Sequence, residues 1–166
     1  DVVLCGIAVY GLAPAPALRH HLPLVPALTL RSVVSFVKQV GAGERISYGL
    51  RHEFGRDTTV ATVSIGYADG VRRGLSDAGG EVLVRGRRRP IVGTVTMDQL
   101  MVDCGDDHVE PGDDVVLIGR QGDEEITAEE WAERLDTIAY EIVCGIGPRV
   151  VRRWNRSGRP IDARLT

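Results

Sequence analysis

A tyrosine stands at the end of a β-type run in this chain, where its phenol could accept or donate a proton. Residues 58–65, TTVATVSI, are rich in β-branched residues, and Tyr67 follows them directly after Gly66. A strand that stops at a glycine turn projects the next side chain away from its own core. The pattern therefore indicates a tyrosine presented to something outside its domain, although a tyrosine that only packs at a strand end gives the same pattern.

Two other short stretches contain groups that could bind a ligand. Met97 and Asp98 interrupt the strand-like run 93–103, GTVTMDQLMVD, and an aspartate there is also typical of a bulge or a carboxylate-capped turn. Gly6 and Ile7 lie in the apolar run 2–10, where a glycine can leave backbone amides free for an anion. The candidate groups are thus a phenol, a turn carboxylate and a pair of amides.

The composition limits the classes of protein to consider. With 166 residues and 43% apolar content, the chain can build one globular core. Arginines cluster at 85–89 and 149–156, whereas Lys38 is the only lysine. Because aromatic residues make up only 5% of the chain, a stacking platform for nucleic-acid bases is poorly supported. We therefore predict that the arginine clusters belong to solvated turns and edge strands, and that nucleic acid is not a partner.

Membrane and metal partners are not predicted either. No apolar run reaches the roughly 18 residues that a membrane-spanning helix needs, and no signal peptide is visible, so a cytoplasmic protein is expected. The three cysteines are far apart and lack the spacing of a metal-ligand motif. No metal site is therefore expected.

Short β-type segments separated by glycine turns recur along the chain and favour a barrel or a sandwich. A capping box, with Thr127 at the helix start and Glu130 reaching back, predicts a helix over 128–135. The proline-rich segment 13–26 reads as a linker between structural units. The predicted strands lie at 2–10, 28–40, 46–48, 58–65, 81–85, 90–95, 99–103 and 114–119.

Several of these stretches, taken in order, resemble the C-terminal part of the alanine racemase family, whose pyridoxal-phosphate enzymes interconvert L- and D-alanine. They are GIAVYGLAP (6–14), ISYG (46–49), IGYADG (65–70), PIVGTVTMDQLMVD (90–103), VVLIGRQGDEEIT (115–127) and TIAYEIVCGIGPRV (137–150). The resemblance implies a mainly β fold, a barrel-like C-terminal domain with one or two short helices, without the family's N-terminal TIM-type barrel. Residues 1–24 would be a remnant of the last barrel strand, the phosphate-binding turn and the linker, and residues 25–166 the β-rich domain.

The resemblance also implies roles for individual residues. Tyr67 would be the catalytic base that acts on the L face of the substrate, in the active site of the other subunit of a homodimer. Met97 and Asp98 would contact the substrate carboxylate, and Gly6 and Ile7 would bind the phosphate of pyridoxal 5'-phosphate. Lys38 lies in no motif that could attach this cofactor covalently. The isolated chain is therefore expected to be inactive.

Two positions depart from the family pattern, and a second class of function stays open. Leu4 stands where the family usually has an arginine that donates to the cofactor ring, and Pro148 stands where many members have a phosphate-contacting tyrosine. The alternative to an enzyme part is a non-catalytic β-barrel module for binding or dimerisation. Such a module would need Tyr67 and Met97 only for packing.

Overall fold

A computed structural model describes residues 1–19, 21, 23–156 and 159–161 of the chain. The strands are β1 (Leu30–Val40), β2 (Arg45–Ile46), β3 (His52–Glu53), β4 (Thr58–Val63), β5 (Glu81–Val84), β6 (Arg87–Val92), β7 (Leu100–Gly105), β8 (Asp114–Gln121), β9 (Glu124–Ile126), β10 (Trp154–Arg156) and β11 (Arg159–Ile161). The helices are α1 (Ala128–Arg134) and α2 (Ala139–Gly145), with short 3-10 turns at Gly6–Tyr10, Pro16–Leu18, Tyr48–Leu50, Tyr67–Asp69 and Arg73–Leu75. The prediction of a mainly β domain with one or two short helices is confirmed.

The main sheet curls into a ring because β1 pairs with two different strands. Its second half, from Val34 to Val40, runs antiparallel to β4, and its first half, from Leu30 to Val33, runs antiparallel to β8. The ring order is β1-β4-β7-β6-β5-β8, with β9 attached to β8 outside the ring. The register of β1 shifts once in its pairing with β4 and once in its pairing with β8. Such bulges let a strand bend. The ring is unevenly closed, since β5 and β8 pair at only two positions.

The core fills the ring and extends beneath α1. In β7, Leu100, Val102 and Cys104 are buried at alternate positions, as the two-residue period of a strand requires. In β8, residues 115–118 are all buried, which means that both faces of this strand are covered. Trp131 of α1 belongs to the same core cluster and is 1% exposed. The helix therefore closes one side of the barrel.

The start of α1 confirms half of the predicted capping box. The Thr127 hydroxyl accepts a hydrogen bond from the Glu130 amide at 3.0 Å, and the helix then runs over Ala128–Arg134. The Glu130 carboxylate does not reach back to the helix start as predicted. It accepts two hydrogen bonds from Arg88 instead, at 2.8 and 2.9 Å.

Three predicted strands differ from the structure. The strand predicted at 46–48 ends at Ile46, because Tyr48–Leu50 forms a 3-10 turn. The run 2–10 is not a strand: Val2, Val3 and Leu4 are exposed, and Gly6–Tyr10 forms a 3-10 turn. An apolar run needs a partner strand to complete its hydrogen bonds, and no strand among the described residues pairs with this one. The strand predicted at 90–95 begins earlier, at Arg87, because the arginines continue the hairpin ladder of β5 and β6. The arginines at 87–89 are therefore part of a strand, and their charge does not place them in a turn.

Arg88 also corrects the prediction that the 85–89 cluster is simply solvated. Its side chain is only 30% exposed and joins β6 to α1 through Glu130 and to β5 through Glu81, which lies 3.1 Å away. Arg134 contacts the same two carboxylates, at 3.3 and 3.0 Å. The Arg88 hydrogen bond holds the pKa of Glu130 below its ordinary value. This half-buried network fastens the helix to the barrel wall.

Arg88→Met is expected to lower the free energy of unfolding by about 1–3 kcal/mol, because it leaves two partly buried carboxylates with fewer donors. Arg87→Met is the matched control, since Arg87 is 68% exposed and its partner is Asp107. An exposed ion pair contributes only about 0–1 kcal/mol. Urea unfolding of both variants measures the difference, and equal effects would contradict a structural role for the Arg88 network.

The same comparison has a defined pH dependence. Because the pKa of Glu130 is lowered in the folded state, its contribution is complete above the ordinary glutamate pKa and is lost as pH falls through the folded value. The stability gap between the unsubstituted chain and Arg88→Met should therefore narrow on acidification. A gap that stays constant would mean that the ion pair does not produce it.

Candidate functional site

Two turns of the chain are joined backbone to backbone at one end of the barrel. The Tyr67 amide donates to the Thr96 carbonyl oxygen at 2.9 Å, and the Ala68 amide donates to the Met97 carbonyl oxygen at 3.0 Å. These bonds link the turn after β4 to the loop between β6 and β7. Tyr67 and Met97, which the sequence marked in separate motifs, are therefore brought together.

Gly66 makes this close approach possible. A Cβ atom at Gly66 would lie 2.3 Å from the Thr96 carbonyl oxygen and 2.4 Å from that of Met97, so any larger residue must displace backbone. The Gly66 amide donates to the buried carboxylate of Asp69 at 2.9 Å. The glycine in front of Tyr67 is thus required by packing between the two turns.

The side chain of Tyr67 lines a cleft of its own domain. Its exposed fraction is 44%, and the cleft has a volume of about 290 Å³. Arg72 lines the same cleft and pairs with Glu141 of α2 at 2.6 Å. The other lining residues are Gly70, Val71, Arg73 and Gly145. Tyr67 therefore borders a cleft formed within its own domain.

Tyr48 is the most exposed of the described tyrosines, and the sequence reasoning did not single it out as a site residue. It is 74% exposed and lies in the turn between β2 and β3. Two non-glycine residues of this turn have positive φ angles, 67° at Ser47 and 47° at Leu50, which are rare for residues other than glycine. Such backbone costs about 1–3 kcal/mol at each position, and it clusters at functional sites.

Side-chain hydrogen bonds hold this strained turn in place. The Ser47 hydroxyl donates to the Thr94 carbonyl oxygen at 2.9 Å and accepts from the Thr94 amide at 3.0 Å. The Thr94 hydroxyl donates to the Tyr48 carbonyl oxygen at 3.1 Å. The loop after β6 thus anchors the Tyr48 turn at Thr94 and the Tyr67 turn at Thr96 and Met97. The sequence signal was available, since Tyr48 follows Ile46 by two positions, as Tyr67 follows Ile65, and a glycine stands next to each tyrosine.

Met97 and Asp98 have different surroundings. Within the part of the chain that the structure describes, the Met97 amide has no hydrogen-bond acceptor, and the residue is 53% exposed. The Asp98 carboxylate accepts from Arg149 at 2.6 Å. The amide is available to a ligand, whereas the carboxylate already has a partner.

Gly6 and Ile7 form a separate group. Gly6 has φ +52° at the start of a 3-10 turn, and the Ile7 side chain is buried beneath it. Among the residues described, neither amide has an acceptor, and neither residue bonds to the Tyr67 or Met97 turns. The Tyr140 hydroxyl lies 3.6 Å from where a Gly6 Cβ would stand. Two open backbone amides in succession are a group that can bind an anion.

The only lysine stands apart from these groups. Lys38 lies on β1 and pairs with Glu44 at 3.2 Å, as an exposed side chain. The pKa of Glu44 is lowered, first by a hydrogen bond from the Gly41 amide and then by Lys38. No lysine lies beside the Tyr67 turn, the Met97 turn or Gly6. In the described ranges no group of three acidic, histidine or cysteine side chains could hold a metal ion, and no helix is long and apolar enough to cross a membrane.

These features define a barrel-like β domain whose described residues present exposed tyrosines and open backbone amides. Residues 27–154 match the family described as "Alanine racemase, C-terminal domain". The chain belongs to this family.

Proteins similar to this chain include one from Symbiobacterium thermophilum named alanine racemase, 56% identical over 153 residues, which covers 92% of this chain and 40% of that protein. A solved structure of alanine racemase from Bacillus anthracis with bound L-Ala-P aligns with a TM-score of 0.89 and 49% identity over 95% of this chain and 40% of that one. The Clostridium difficile alanine racemase in complex with cycloserine aligns with a TM-score of 0.84 and 39% identity, covering 94% and 41%. This chain thus spans about 40% of the length of these relatives.

Proposed function

We propose that the chain is the C-terminal part of an alanine racemase that works with pyridoxal 5'-phosphate as a homodimer and interconverts L- and D-alanine. Family membership over residues 27–154 is the observation that carries this proposal. When bound, the cofactor withdraws electrons from the α-carbon of the amino acid, so that its proton can leave. The open amides of Gly6 and Ile7 would hold the cofactor phosphate, whereas Leu4 and Pro148 offer no side-chain donor at the two positions where the family usually has one.

Racemisation requires acid–base groups on two opposite faces of the substrate. The α-proton leaves from one face and a proton returns to the other, so one base cannot efficiently serve both. A phenol has an ordinary pKa near 10 and acts as a base when nearby positive charge or hydrogen bonds stabilise the phenoxide. We propose that this chain supplies the phenol, in the active site of the partner subunit, and that the second base is the lysine that carries the cofactor, which lies outside this chain.

Two tyrosines compete for this role. The sequence assigned it to Tyr67, and that assignment stays a prediction. We favour Tyr48, because a base that enters another subunit must project from its own domain, and Tyr48 is 74% exposed against 44% for Tyr67. Tyr48 also lies on the strained turn fixed by Ser47, whereas Tyr67 lines a cleft within its own domain. Tyr67 would then border the approach to the site.

The Met97 amide is the proposed contact for the substrate carboxylate. It is an N–H donor without a partner among the described residues, and it lies in the loop that anchors both tyrosine turns. The Asp98 side chain is itself negative and is paired with Arg149, so a direct contact with the substrate carboxylate would be repulsive. We therefore propose that Asp98 holds the Met97 turn in place and does not itself contact the substrate.

The proposal is tested by a chimera in which residues 27–154 replace the matching segment of the Symbiobacterium thermophilum relative. We expect the chimera to convert L-alanine to D-alanine, measured with a coupled D-amino acid oxidase assay. The 166-residue chain alone should not do so, because Lys38, its only lysine, is paired on β1. A chimera that folds, dimerises and binds the cofactor without turnover would overturn the proposal, as would racemisation by the chain alone.

A further inference from the structure

Arg149 bridges the two turns that meet at the candidate site. Its Nη2 atom lies 2.6 Å from Asp98 Oδ1, and its Nε atom lies 3.3 Å from Asp69 Oδ1. Asp98 follows Met97 directly, and Asp69 is two residues after Tyr67. One guanidinium therefore joins the turn of Met97 to the turn of Tyr67 by side chains, in addition to the backbone bonds between them.

The two carboxylates are not equivalent. The Asp69 side chain is 12% exposed and uses its second oxygen, Oδ2, to accept the Gly66 amide at 2.9 Å. The Asp98 side chain is 57% exposed and makes its close contact with Arg149. The chain of contacts thus runs from the Gly66 amide through Asp69 and Arg149 to Asp98. Within the described residues Arg149 is the only cation paired with either carboxylate.

The segment that carries Arg149 is itself fixed to the Tyr67 turn. The Gly147 amide donates to the Asp69 carbonyl oxygen at 2.9 Å. A Cβ at Gly70 would lie 2.5 Å from the Gly145 carbonyl oxygen, so the end of α2 packs directly on this turn. The hydrogen bond that Arg149 donates to Asp98 first, and the charge of Asp69 next, raise the pKa of Arg149, which keeps it a permanent cation. A fixed planar guanidinium suits a bridge between two carboxylates better than a flexible lysine does.

We propose that Arg149 is a positioning residue that sets the orientation of the Met97 amide relative to the Tyr67 turn by joining Asp98 to Asp69. The consequence for catalysis rests on the proposed function, in which that amide binds the substrate carboxylate. Arg149 then acts through Met97 and does not itself touch the substrate. Its loss should weaken substrate binding in the ground state and the transition state alike, which raises KM and leaves kcat nearly unchanged.

Kinetics of the chimera test the effect on the substrate. Arg149→Met is expected to raise the KM for alanine by about tenfold with less than about a threefold change in kcat, and Arg149→Lys by a smaller factor. Asp98→Asn should also raise the KM for alanine. Arg153→Met is the matched control, because Arg153 is exposed and has no ion pair or hydrogen bond to any described residue. An unchanged KM in Arg149→Met, or an equal rise in the control, would overturn the proposal.

Amide hydrogen exchange in the 166-residue chain gives a readout that needs no activity. In Arg149→Met the Gly66 and Ala68 amides should exchange about tenfold faster, because the turn that holds them loses its side-chain bridge. The Arg153→Met chain should match the unsubstituted one. Unchanged exchange in both Arg149→Met and Arg149→Lys would overturn the bridge whatever the chimera does. If exchange accelerates while the unsubstituted chimera is inactive, the bridge stands and the proposed function fails.

Discussion

Tyr48→Phe is expected to lower the rate of racemisation by the chimera by about 10² to 10⁴ in both directions, which is the usual range for loss of one general base. Tyr67→Phe is expected to lower it by less than about tenfold. Each substitution removes one hydroxyl and little volume, so folding, dimerisation and cofactor binding should survive. The two variants therefore form a matched pair that differs in which phenol is missing.

Isotope exchange makes the comparison more specific. The family resemblance assigns the tyrosine to the L face of the substrate, and the second base acts on the D face. In Tyr48→Phe the α-proton of D-alanine should therefore still exchange with deuterated solvent, while inversion to L-alanine is lost. Proton NMR of the α-position, with chiral analysis of the product, follows both processes in one reaction.

Each possible result assigns the role. A large loss in Tyr67→Phe with a small loss in Tyr48→Phe would restore the assignment made from the sequence. If both variants keep near full turnover in both directions, neither phenol is a base. The alternative of a non-catalytic binding or dimerisation module would then account for the domain better.

Local sequence signals predicted the elements that depend on local physics. Thr127 caps α1 as expected, because a threonine hydroxyl and a nearby amide need only one turn of chain to meet. The long strand at 28–40 was also correct to within two residues at its start. The run 2–10 was wrong, because an apolar run predicts burial and a strand additionally requires a neighbour, which residues 2–10 do not find among the described residues.

The candidate site depended on contacts between distant residues, which the sequence could show only in part. The motifs marked Tyr67 and Met97 separately, and the fold placed them side by side through a backbone contact across about 30 positions. Tyr48 shared the pattern of Tyr67, but the strain at Ser47 and its hydrogen bonds with Thr94 arise only in the folded chain. The bridge of Arg149 likewise depends on the packing of the end of α2 against the Tyr67 turn.

The contact at Gly66 is where the fold and the proposed chemistry depend on the same few atoms. Gly66 has φ −150°, an extended value that any residue can adopt, so alanine there meets no backbone restriction of its own. The obstacle is steric, since the new methyl group would lie within 2.6 Å of the Met97 carbonyl group. One of the two turns must therefore move, and the Tyr67 and Ala68 amides lose their alignment with the carbonyl oxygens of Thr96 and Met97.

Gly66→Ala is expected to lower the free energy of unfolding by about 1–3 kcal/mol, the usual effect of overpacking. In the chimera it should lower kcat/KM for alanine by about 10², because a displacement of about 1 Å at a substrate contact has an effect of that size. Gly55→Ala is the matched control, since a Cβ there meets nothing within 4 Å and its φ lies outside the left-handed region. Urea unfolding and steady-state kinetics of both variants measure these effects. If Gly66→Ala behaves like Gly55→Ala in both measurements, the two turns are not held together by the contact at Gly66, and the Met97 amide cannot owe its position to it.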